Sequence, residues 1–482
     1  MSNLKKTAVR SAKWTIVSST VSAITGPVYK IILGLLLVKA EFAYLSIITL
    51  INTLASLIGD LGIGKSLIKK KDVDNEEFTA ALLIKLMIAI VIGFIIIIIS
   101  KPIEKFYGYV GLGDLLRLSF ITIVISSINN IFSNVLQKEL LFKEYSISNI
   151  LRNSIDMIAS IVYILIGFGV KGYVYGTITA VLICTLYNIR TVFNKTKFKL
   201  IRSFKIKEPK DFFGFGISIS IKDILTYIVG KLDEIIIGKL LGANVLGVYF
   251  FGKDFVKKPQ EIISTALTQS LFPILVQIKE NKEKLKNWYL KITQYMSMIA
   301  FPIFLGLAIT CDYYMKLLYG NKWDNSIVII KLFCIITLIT ILTSNITTST
   351  LYAINKQNKV LLIDIIMNFI YIVFLVITHT SSLYAIVAIY FSYTFIKCLW
   401  LQGIVRKSLG YKWKAYLQCI YKPALSSIIM LDVIFLVNTI INNKLSSIYI
   451  LIIDVVLGIS IYVVTMYSLD KDSLADLKKM LF

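Results

Sequence analysis

The chain is poor in the residues that build metal sites and disulfide frameworks. It has one histidine, His379, and five cysteines among 482 residues. No two cysteines are close enough to form a CxxC pair, and most lie inside apolar runs. A lone histidine makes a poor metal site, and separated cysteines of this kind argue against zinc and against disulfides. We therefore expect no metal and no cofactor, and we interpret the cysteines as small packing residues.

Charged residues are also scarce. They make up 17% of the chain, whereas soluble domains have roughly 25%. Hydrophobic residues reach 57%, and the mean hydropathy is +0.77. The apolar residues come in runs of about twenty, the length of helix that crosses a ~30 Å hydrocarbon core. This composition predicts an all-α integral membrane protein.

The apolar runs predict about fourteen transmembrane helices. Their approximate ranges are 14–38, 42–64, 78–100, 115–137, 145–168, 171–193, 213–241, 245–276, 288–310, 326–353, 358–379, 382–405, 415–440 and 446–468. Fourteen spans place both termini on one side of the membrane. In the segments between the spans and at the span ends that border them, 30 lysines and arginines fall on that side and 7 on the other. The positive-inside rule therefore predicts that both termini are cytoplasmic, and it accounts for the net charge of +24 without a nucleic-acid partner.

A basic segment and a faint repeat divide the predicted spans into lobes. The longest cytoplasmic segment, 194–212, follows the sixth span, and Tyr29–Leu45 aligns without gaps to Asp233–Tyr249. Spans one and seven would then begin two related halves, as in many transporters. The domain prediction is an N-lobe at 1–193 with spans one to six, a cytoplasmic basic linker at 194–212, a C-lobe at 213–405 with spans seven to twelve, and spans thirteen and fourteen with a cytoplasmic tail at 406–482.

One stretch matches a nucleotide-binding pattern. Gly59–Ser66 reads GDLGIGKS, which fits GxxxxGK[ST]. A phosphate-binding loop of this kind needs a strand before it and a long helix after it. Here a predicted span precedes it and a charged loop follows, so we interpret it as the glycine-rich end of span two.

Charged residues inside the spans carry more information. Each costs ~2.5–3.5 kcal/mol at the bilayer centre, so each is expected to face a polar interior. Arg152 and Asp156 are four residues apart, which predicts an ion pair on one helix face. Lys222 and Asp233 share a face of span seven, and Lys253 begins a similar ladder in span eight. These stripes predict a water-filled path lined by both signs of charge, with cations prominent.

Three stretches carry a family resemblance: Leu57–Ala81, Gly230–Leu275 and Ala300–Ser326. They resemble bacterial polysaccharide (O-antigen/teichuronic-type) flippases of the multidrug/oligosaccharidyl-lipid/polysaccharide (MOP) exporter superfamily. The resemblance implies a V-shaped, pseudo-twofold fold of two six-helix lobes plus two C-terminal helices. It implies a transporter, not an enzyme, that moves an undecaprenyl-pyrophosphate-linked oligosaccharide to the outer leaflet of the bacterial cytoplasmic membrane. Alternating access coupled to an ion gradient, of H⁺ or Na⁺, is implied as well.

A cationic cavity would attract an anionic pyrophosphate. The candidate substrate contacts are the in-span cations Lys30, Lys85, Arg152, Lys222, Lys231 and Lys253. The candidates for gating or ion coupling are Asp60, Asp233 and Glu234. The candidates for contacts with sugar hydroxyls are Asn52, Asn129, Tyr227 and Asn345.

The expected partners are the lipid-linked oligosaccharide and membrane lipids, with polysaccharide polymerases and glycosyltransferases as further candidates, and we expect a monomer. Two alternatives come from the same superfamily. A drug or organic-cation exporter should carry more acids than bases in its cavity, whereas a lipid II flippase differs only in its sugar. A membrane scaffold would not explain so many costly intramembrane charges. An enzyme acting on lipid-linked sugars would need a site organised on larger outer loops.

Overall fold

The computed structural model describes residues 2–60, 63–70, 73–201, 223–378, 382–441 and 445–481. Within these ranges the chain is helical throughout, apart from short turns, and contains no strand. The chain divides into two compact units, Met1–Phe250 and Phe251–Phe482. We call them unit 1 and unit 2 and describe each by itself.

Unit 1 is a helical bundle with a short helix and the start of a long one packed onto it. Its helices are α1 (Ser2–Leu36), α2 (Lys39–Asp60), α3 (Ile63–Lys69), α4 (Asn75–Tyr107), α5 (Leu112–Lys138), α6 (Phe142–Tyr163), α7 (Val170–Lys195), α8 (Leu232–Leu240) and the first part of α9 (Gly242–Ile278). A π-helical turn, Ile164–Phe168, extends α6. π-Helical turns interrupt the regular backbone ladder and often occur near functional sites.

Local sequence signals set the ends of α4. The side chain of Asp74 accepts a hydrogen bond from the backbone N–H of Glu77 at 2.8 Å, which is an N-cap. Gly108 ends the helix with φ of 73°, a left-handed conformation that glycine adopts without steric cost. The helix between these caps carries Lys85 into the interior of the unit.

The α6 and α7 helices approach each other closely at a glycine. A Cβ atom on Gly176 would lie 2.0 Å from the hydroxyl oxygen of Ser160 and 2.4 Å from its backbone nitrogen. Membrane helices lack a hydrophobic driving force for association, so small residues that allow close backbone contact stabilise their packing. This contact holds α6 against α7 one turn from Asp156, which accepts a hydrogen bond from Thr177 of α7.

Unit 2 is a second helical bundle. Its helices are the rest of α9, α10 (Lys282–Tyr319), α11 (Asp324–Ile339), α12 (Ile346–Ala353), α13 (Gln357–Thr378), α14 (Leu383–Leu409), α15 (Trp413–Ile441) and α16 (Ser447–Leu481). A π-helical segment, Thr340–Asn345, joins α11 to α12. In the core, Tyr289 donates to the side-chain oxygen of Gln402 at 2.7 Å, and the amide nitrogen of Gln402 donates to Tyr411 at 2.8 Å. This network ties α10 to α14 through satisfied buried polar groups.

The predicted fold class is confirmed. Twelve helices of the described residues are long and apolar enough to cross a membrane, and they coincide with predicted spans one to six and nine to fourteen. Predicted span eight lies within α9, which is continuous. Predicted span seven lies partly outside the described residues, and its described part is not one helix, because the chain turns at Gly230 and Lys231 before α8 begins. Glycine weakens a helix, and the side chain of Lys231 forms an ion pair with Glu234 in the first turn of α8.

Candidate functional site

A polar cavity of about 300 Å³ lies inside unit 1, between α2, α4, α5, α6 and α7. Most of its lining side chains carry a hydroxyl or an amide group. They are Thr49, Asn52, Thr53, Ser56, Thr122, Ser126, Ser127, Asn130, Tyr173 and Thr177. Two cations, Lys85 and Arg152, complete the polar lining, and no acidic residue is among the lining residues of the described chain.

Lys85 and Asp60 form an ion pair at this cavity. The Lys85 Nζ atom lies 2.7 Å from Asp60 Oδ1. The lysine side chain is 2% exposed, whereas the aspartate side chain is 34% exposed. Ser127 also donates to the backbone carbonyl of Lys85 at 3.0 Å, which ties α5 to α4 at this level. The two residues, predicted as a substrate contact and a gating residue, are therefore partners, and the lysine charge is balanced inside unit 1.

Arg152 lines the same cavity from α6, but the predicted ion pair with Asp156 is wrong. Asp156 instead accepts a hydrogen bond from the hydroxyl of Thr177 on α7 at 3.0 Å. The close packing of α6 on α7 brings Thr177 to the carboxylate, a partner that spacing along one helix could not reveal. Among the described residues, the Arg152 side chain has no ion pair within 4.0 Å and no hydrogen bond. Its guanidinium group is thus a cation at the cavity with its donors available.

Asn52 adds a further polar group to the cavity. Its side-chain oxygen is buried and has no hydrogen-bond partner among the described residues. Asn129, also predicted to contact sugar, accepts a hydrogen bond from Asn188 at 2.9 Å and serves the packing of α5 on α7. Tyr227 and Asn345 do not line this cavity either. Only Asn52 of the four predicted sugar contacts is therefore placed in this site.

Two further predicted cations meet at one aromatic ring of unit 1. Lys30 Nζ lies 5.6 Å and Lys231 Nζ 5.8 Å from the centre of the Phe250 ring. Both distances are within the range of a cation–π interaction. Lys231 also lies 2.6 Å from a carboxylate oxygen of Glu234, whose other oxygen accepts from Ser46 at 2.8 Å. This second cluster holds α8 against α2.

Asp233 and Glu234 are both buried in unit 1. Asp233 accepts a hydrogen bond from the hydroxyl of Tyr249. A neighbouring contact, from the Tyr109 hydroxyl to the carbonyl oxygen of Gly238 at 2.9 Å, fixes the other end of α8. Burial raises the pKa of Tyr109, so its hydroxyl remains a donor. Each acid therefore has a donor partner, and gating by either acid stays a prediction.

The remaining predicted cations are not part of the unit 1 cavity. Lys253 belongs to unit 2, where its Nζ lies 5.3 Å from the ring centre of Tyr390 and 5.9 Å from that of Phe333. Lys222 lies outside the described residues. The structure therefore brings together Lys85 with Arg152, and Lys30 with Lys231.

Sequence reasoning missed a polar cluster in unit 2. Lys397 on α14 lies 2.9 Å from Asp364 on α13, and both side chains are largely buried. Tyr393 donates to the side-chain oxygen of Asn368 at 2.7 Å beside this pair. Both charges were recognisable as intramembrane residues, but their separation of 33 positions along the chain gave no signal that they pair. In the π-helical segment of the same unit, Asn345 donates to Ser264 on α9 at 2.6 Å.

A family profile described as "Polysaccharide biosynthesis protein" matches residues 32–328, which is more than half of the chain. The chain belongs to this polysaccharide biosynthesis family. The resemblance predicted from three stretches of sequence is therefore confirmed.

Known proteins agree with this assignment. The chain is 25% identical over 345 residues to the teichuronic acid biosynthesis protein TuaB of Bacillus subtilis (strain 168), covering 71% of this chain and 70% of that protein. The solved structure of lipid II flippase MurJ matches 96% of this chain and 100% of that chain, with a TM-score of 0.74 and 13% identity. A multidrug resistance MATE family transporter of the MOP superfamily matches 81% of this chain and 94% of that chain, with a TM-score of 0.68 and 16% identity. At these identities the structures show the fold alone, which this chain shares with lipid II flippase MurJ and with this MATE family transporter.

Proposed function

We propose that this protein is a flippase that moves undecaprenyl-pyrophosphate-linked oligosaccharide repeat units from the cytoplasmic to the outer leaflet. The polysaccharide biosynthesis family supports the pathway, and the fold shared with transporters supports movement across a membrane over catalysis. The observation that carries the proposal is the unit 1 cavity. It combines a hydroxyl-rich and amide-rich wall with an arginine that has no ion pair among the described residues.

The chemistry of this cavity fits the two polar parts of such a substrate. A guanidinium group binds phosphate oxygens through paired, charge-assisted hydrogen bonds, so Arg152 is suited to a pyrophosphate. Threonine, serine and asparagine side chains both donate and accept hydrogen bonds, as sugar hydroxyls require. A cavity of about 300 Å³ lies at the lower end of the range for ligand pockets, which suits one part of a larger substrate. The other candidate cations, Lys30, Lys85, Lys222, Lys231 and Lys253, are proposed as further contacts along its path.

Ion coupling is proposed to act through the acids Asp60, Asp233 and Glu234. Each of the three carboxylates binds a lysine or a hydroxyl group inside unit 1. A coupling H⁺ or Na⁺ that bound one of them would have to displace or weaken that partner, which links ion binding to helix packing. Transport driven by an imposed gradient of one ion, lost in an Asp233→Asn variant that keeps the fold and still binds substrate, would support this role. Unchanged coupling in variants of all three acids would contradict it.

The proposal extends to topology and partners. We infer that both termini face the cytoplasm of a bacterial cell and that the protein acts as a monomer in the cytoplasmic membrane. The proposed domains are the N-lobe at 1–193, the linker at 194–212, the C-lobe at 213–405, and the last two spans with the tail at 406–482. Glycosyltransferases and polysaccharide polymerases are the proposed partners, because the former would make the lipid-linked unit and the latter would consume it. Reactivity of cysteines introduced at either terminus toward an impermeant thiol reagent tests the topology. Labelling of intact cells at either terminus would contradict it.

Two alternatives within the superfamily make different predictions. An exporter of organic cations would need a carboxylate facing its substrate. In the described chain the unit 1 cavity is lined by Arg152 and by Lys85, which is paired with Asp60, and no acid is among the lining residues. A lipid II flippase shares the pyrophosphate and differs in the sugar. Transport of lipid II in place of the polysaccharide repeat unit would favour it, and a gain in resistance to cationic drugs would favour the exporter.

The test of the proposal is a leaflet assay in a flippase-null strain. Undecaprenyl-linked oligosaccharide should accumulate in the cytoplasmic leaflet without the protein and reach the outer leaflet when the wild type is expressed. Losing one charge-assisted hydrogen bond costs about 1.5–3 kcal/mol, so Arg152→Ala should reduce transport roughly 10-fold to 100-fold. Arg190→Ala is the matched control, because Arg190 is exposed on the neighbouring helix α7. Equal transport by the two variants would exclude Arg152 as the substrate contact, and no rescue by the wild type would exclude the function.

A further inference from the structure

An acid and an amide meet inside the pair formed by α15 and α16. Asp454 of α16 is 1% exposed and Asn438 of α15 is 8% exposed. The amide nitrogen of Asn438 donates to Asp454 Oδ2 at 3.1 Å. Neither residue takes part in the proposed transport site.

The surroundings of this pair are tightly packed and apolar. Gly458, four residues after Asp454, lies on the same face of α16, and a Cβ there would be 3.3 Å from the Ile434 side chain of α15. Ile434 is in turn four residues before Asn438 and is buried, as is Ile450 four residues before Asp454. The acid is therefore held in a close helix contact with apolar neighbours in the turns on either side.

Each of the two side chains has an oxygen atom with no hydrogen-bond partner. The Oδ1 atoms of Asp454 and of Asn438 are both buried and unsatisfied among the described residues. A buried carboxylate with a single neutral donor is very unfavourable inside a membrane, and so is an unsatisfied amide oxygen. The titratable groups of the packed helices offer no compensation. Tyr313 of α10 is a neutral phenol and Asp432 of α15 is an exposed acid, so neither supplies a positive charge.

We propose that Asp454 is a proton-binding site, whose carboxylic acid forms a ring of two hydrogen bonds with Asn438. In this ring the Asn438 amide donates to Asp454 Oδ2, as observed, and the protonated Asp454 Oδ1 donates to Asn438 Oδ1. One proton satisfies both buried oxygen atoms and removes the charge from the membrane interior. The site therefore links α15 to α16 through a neutral acid–amide pair.

A metal cation fits this site poorly. Hard cations take several oxygen ligands, about 6–8 in the case of Ca²⁺. The pair supplies two free oxygen atoms, and its neighbours on the same helix faces are Ile450, Ile434 and Gly458. A proton needs only the two atoms that are present.

Infrared difference spectroscopy of the purified protein at neutral pH tests the proposal. The wild type should show the C=O band of a protonated carboxyl group, which shifts in D₂O and is absent from Asp454→Asn. Asp472→Asn is the control, because Asp472 is an exposed aspartate that follows the kink at Asp470. It should leave the band unchanged. A wild-type spectrum that shows Asp454 only as a carboxylate would overturn the proposal, as would a stability gain from Na⁺ that Asp454→Asn abolishes.

Thermal stability against pH gives a second measurement. A carboxyl group that is protonated in the folded state and ionised in the unfolded state loses its stabilising effect as pH rises. The melting temperature of the wild type should therefore fall more between neutral and alkaline pH than that of Asp454→Asn, in which an amide can still form the ring. Parallel losses would contradict the proposal. Should Asp454→Asn not fold, Asn438→Leu serves instead: it should shift the acid band, and a band that does not move would place the acid elsewhere.

Discussion

Replacing Asp60 by asparagine should destabilise the protein far more than replacing its partner Lys85 by methionine. Removing one partner of a buried ion pair costs ~3–5 kcal/mol, because the other charge is left without compensation. Lys85 is the buried partner, with 2% of its side chain exposed. The Asp60→Asn variant would strand this lysine in the interior of unit 1 and should carry the full cost.

The reverse substitution should be milder. Asp60 is 34% exposed, so water can hydrate its carboxylate when the lysine is gone. Exposed ion pairs contribute about 0–1 kcal/mol, and methionine fills much of the lysine volume with a flexible apolar chain. Lys85→Met should therefore cost about 1 kcal/mol. The double variant should recover most of the stability that Asp60→Asn loses, because no charge is stranded.

The assay is the temperature at which half of the purified protein stays monodisperse in detergent, measured at one heating rate because unfolding of large proteins is commonly irreversible. Transport is measured in parallel. We expect Lys85→Met to keep the fold and to reduce transport if Lys85 also contacts the pyrophosphate. Equal losses of stability in the two single variants, or a double variant less stable than Asp60→Asn, would refute the reasoning.

Two further predictions concern the packing of α6 on α7 and the candidate substrate contacts Lys222 and Lys253. Gly176→Ala should cost about 1–3 kcal/mol, since the new methyl group would collide with the backbone of Ser160. Gly403→Ala, with open space around its Cβ position, should lower the melting temperature little, and equal effects would contradict this account of the packing. Replacing Lys222 and Lys253 together by alanine should abolish transport and leave the amount of folded protein unchanged. Normal transport by that double variant would exclude the pair as substrate contacts.

The sequence was a good guide to elements that depend on long apolar runs. Such runs have one stable arrangement in a bilayer, a helix that satisfies its own backbone. Twelve predicted spans were recovered for this reason. The turn at Gly230 and Lys231 was not predicted, because the charges beside it, Lys231, Asp233 and Glu234, were interpreted as in-span residues that face a polar interior. It depends on contacts made by the next helix, where Glu234 binds both Lys231 and Ser46.

Side-chain partners were harder to predict, because partners that lie on different helices are not close in sequence. Arg152 and Asp156 have ideal spacing for an ion pair, yet Asp156 accepts a hydrogen bond from Thr177 on α7 instead. Lys85 and Asp60 were assigned separate roles, although they bind each other across α4 and α2. The cost of intramembrane charge identified which residues matter, and only the packing of helices decides which of them meet.

The central claim, that the unit 1 cavity binds the pyrophosphate of a lipid-linked oligosaccharide through Arg152, is tested most directly in proteoliposomes. Purified protein is reconstituted with an undecaprenyl-pyrophosphate oligosaccharide labelled on its sugar, and an impermeant quencher reports how much label reaches the outer leaflet. The account predicts that the wild type and Arg190→Ala equilibrate the label between leaflets at similar rates, whereas Arg152→Ala does so roughly 10-fold to 100-fold more slowly. Equilibration by Arg152→Ala at the wild-type rate would contradict the account.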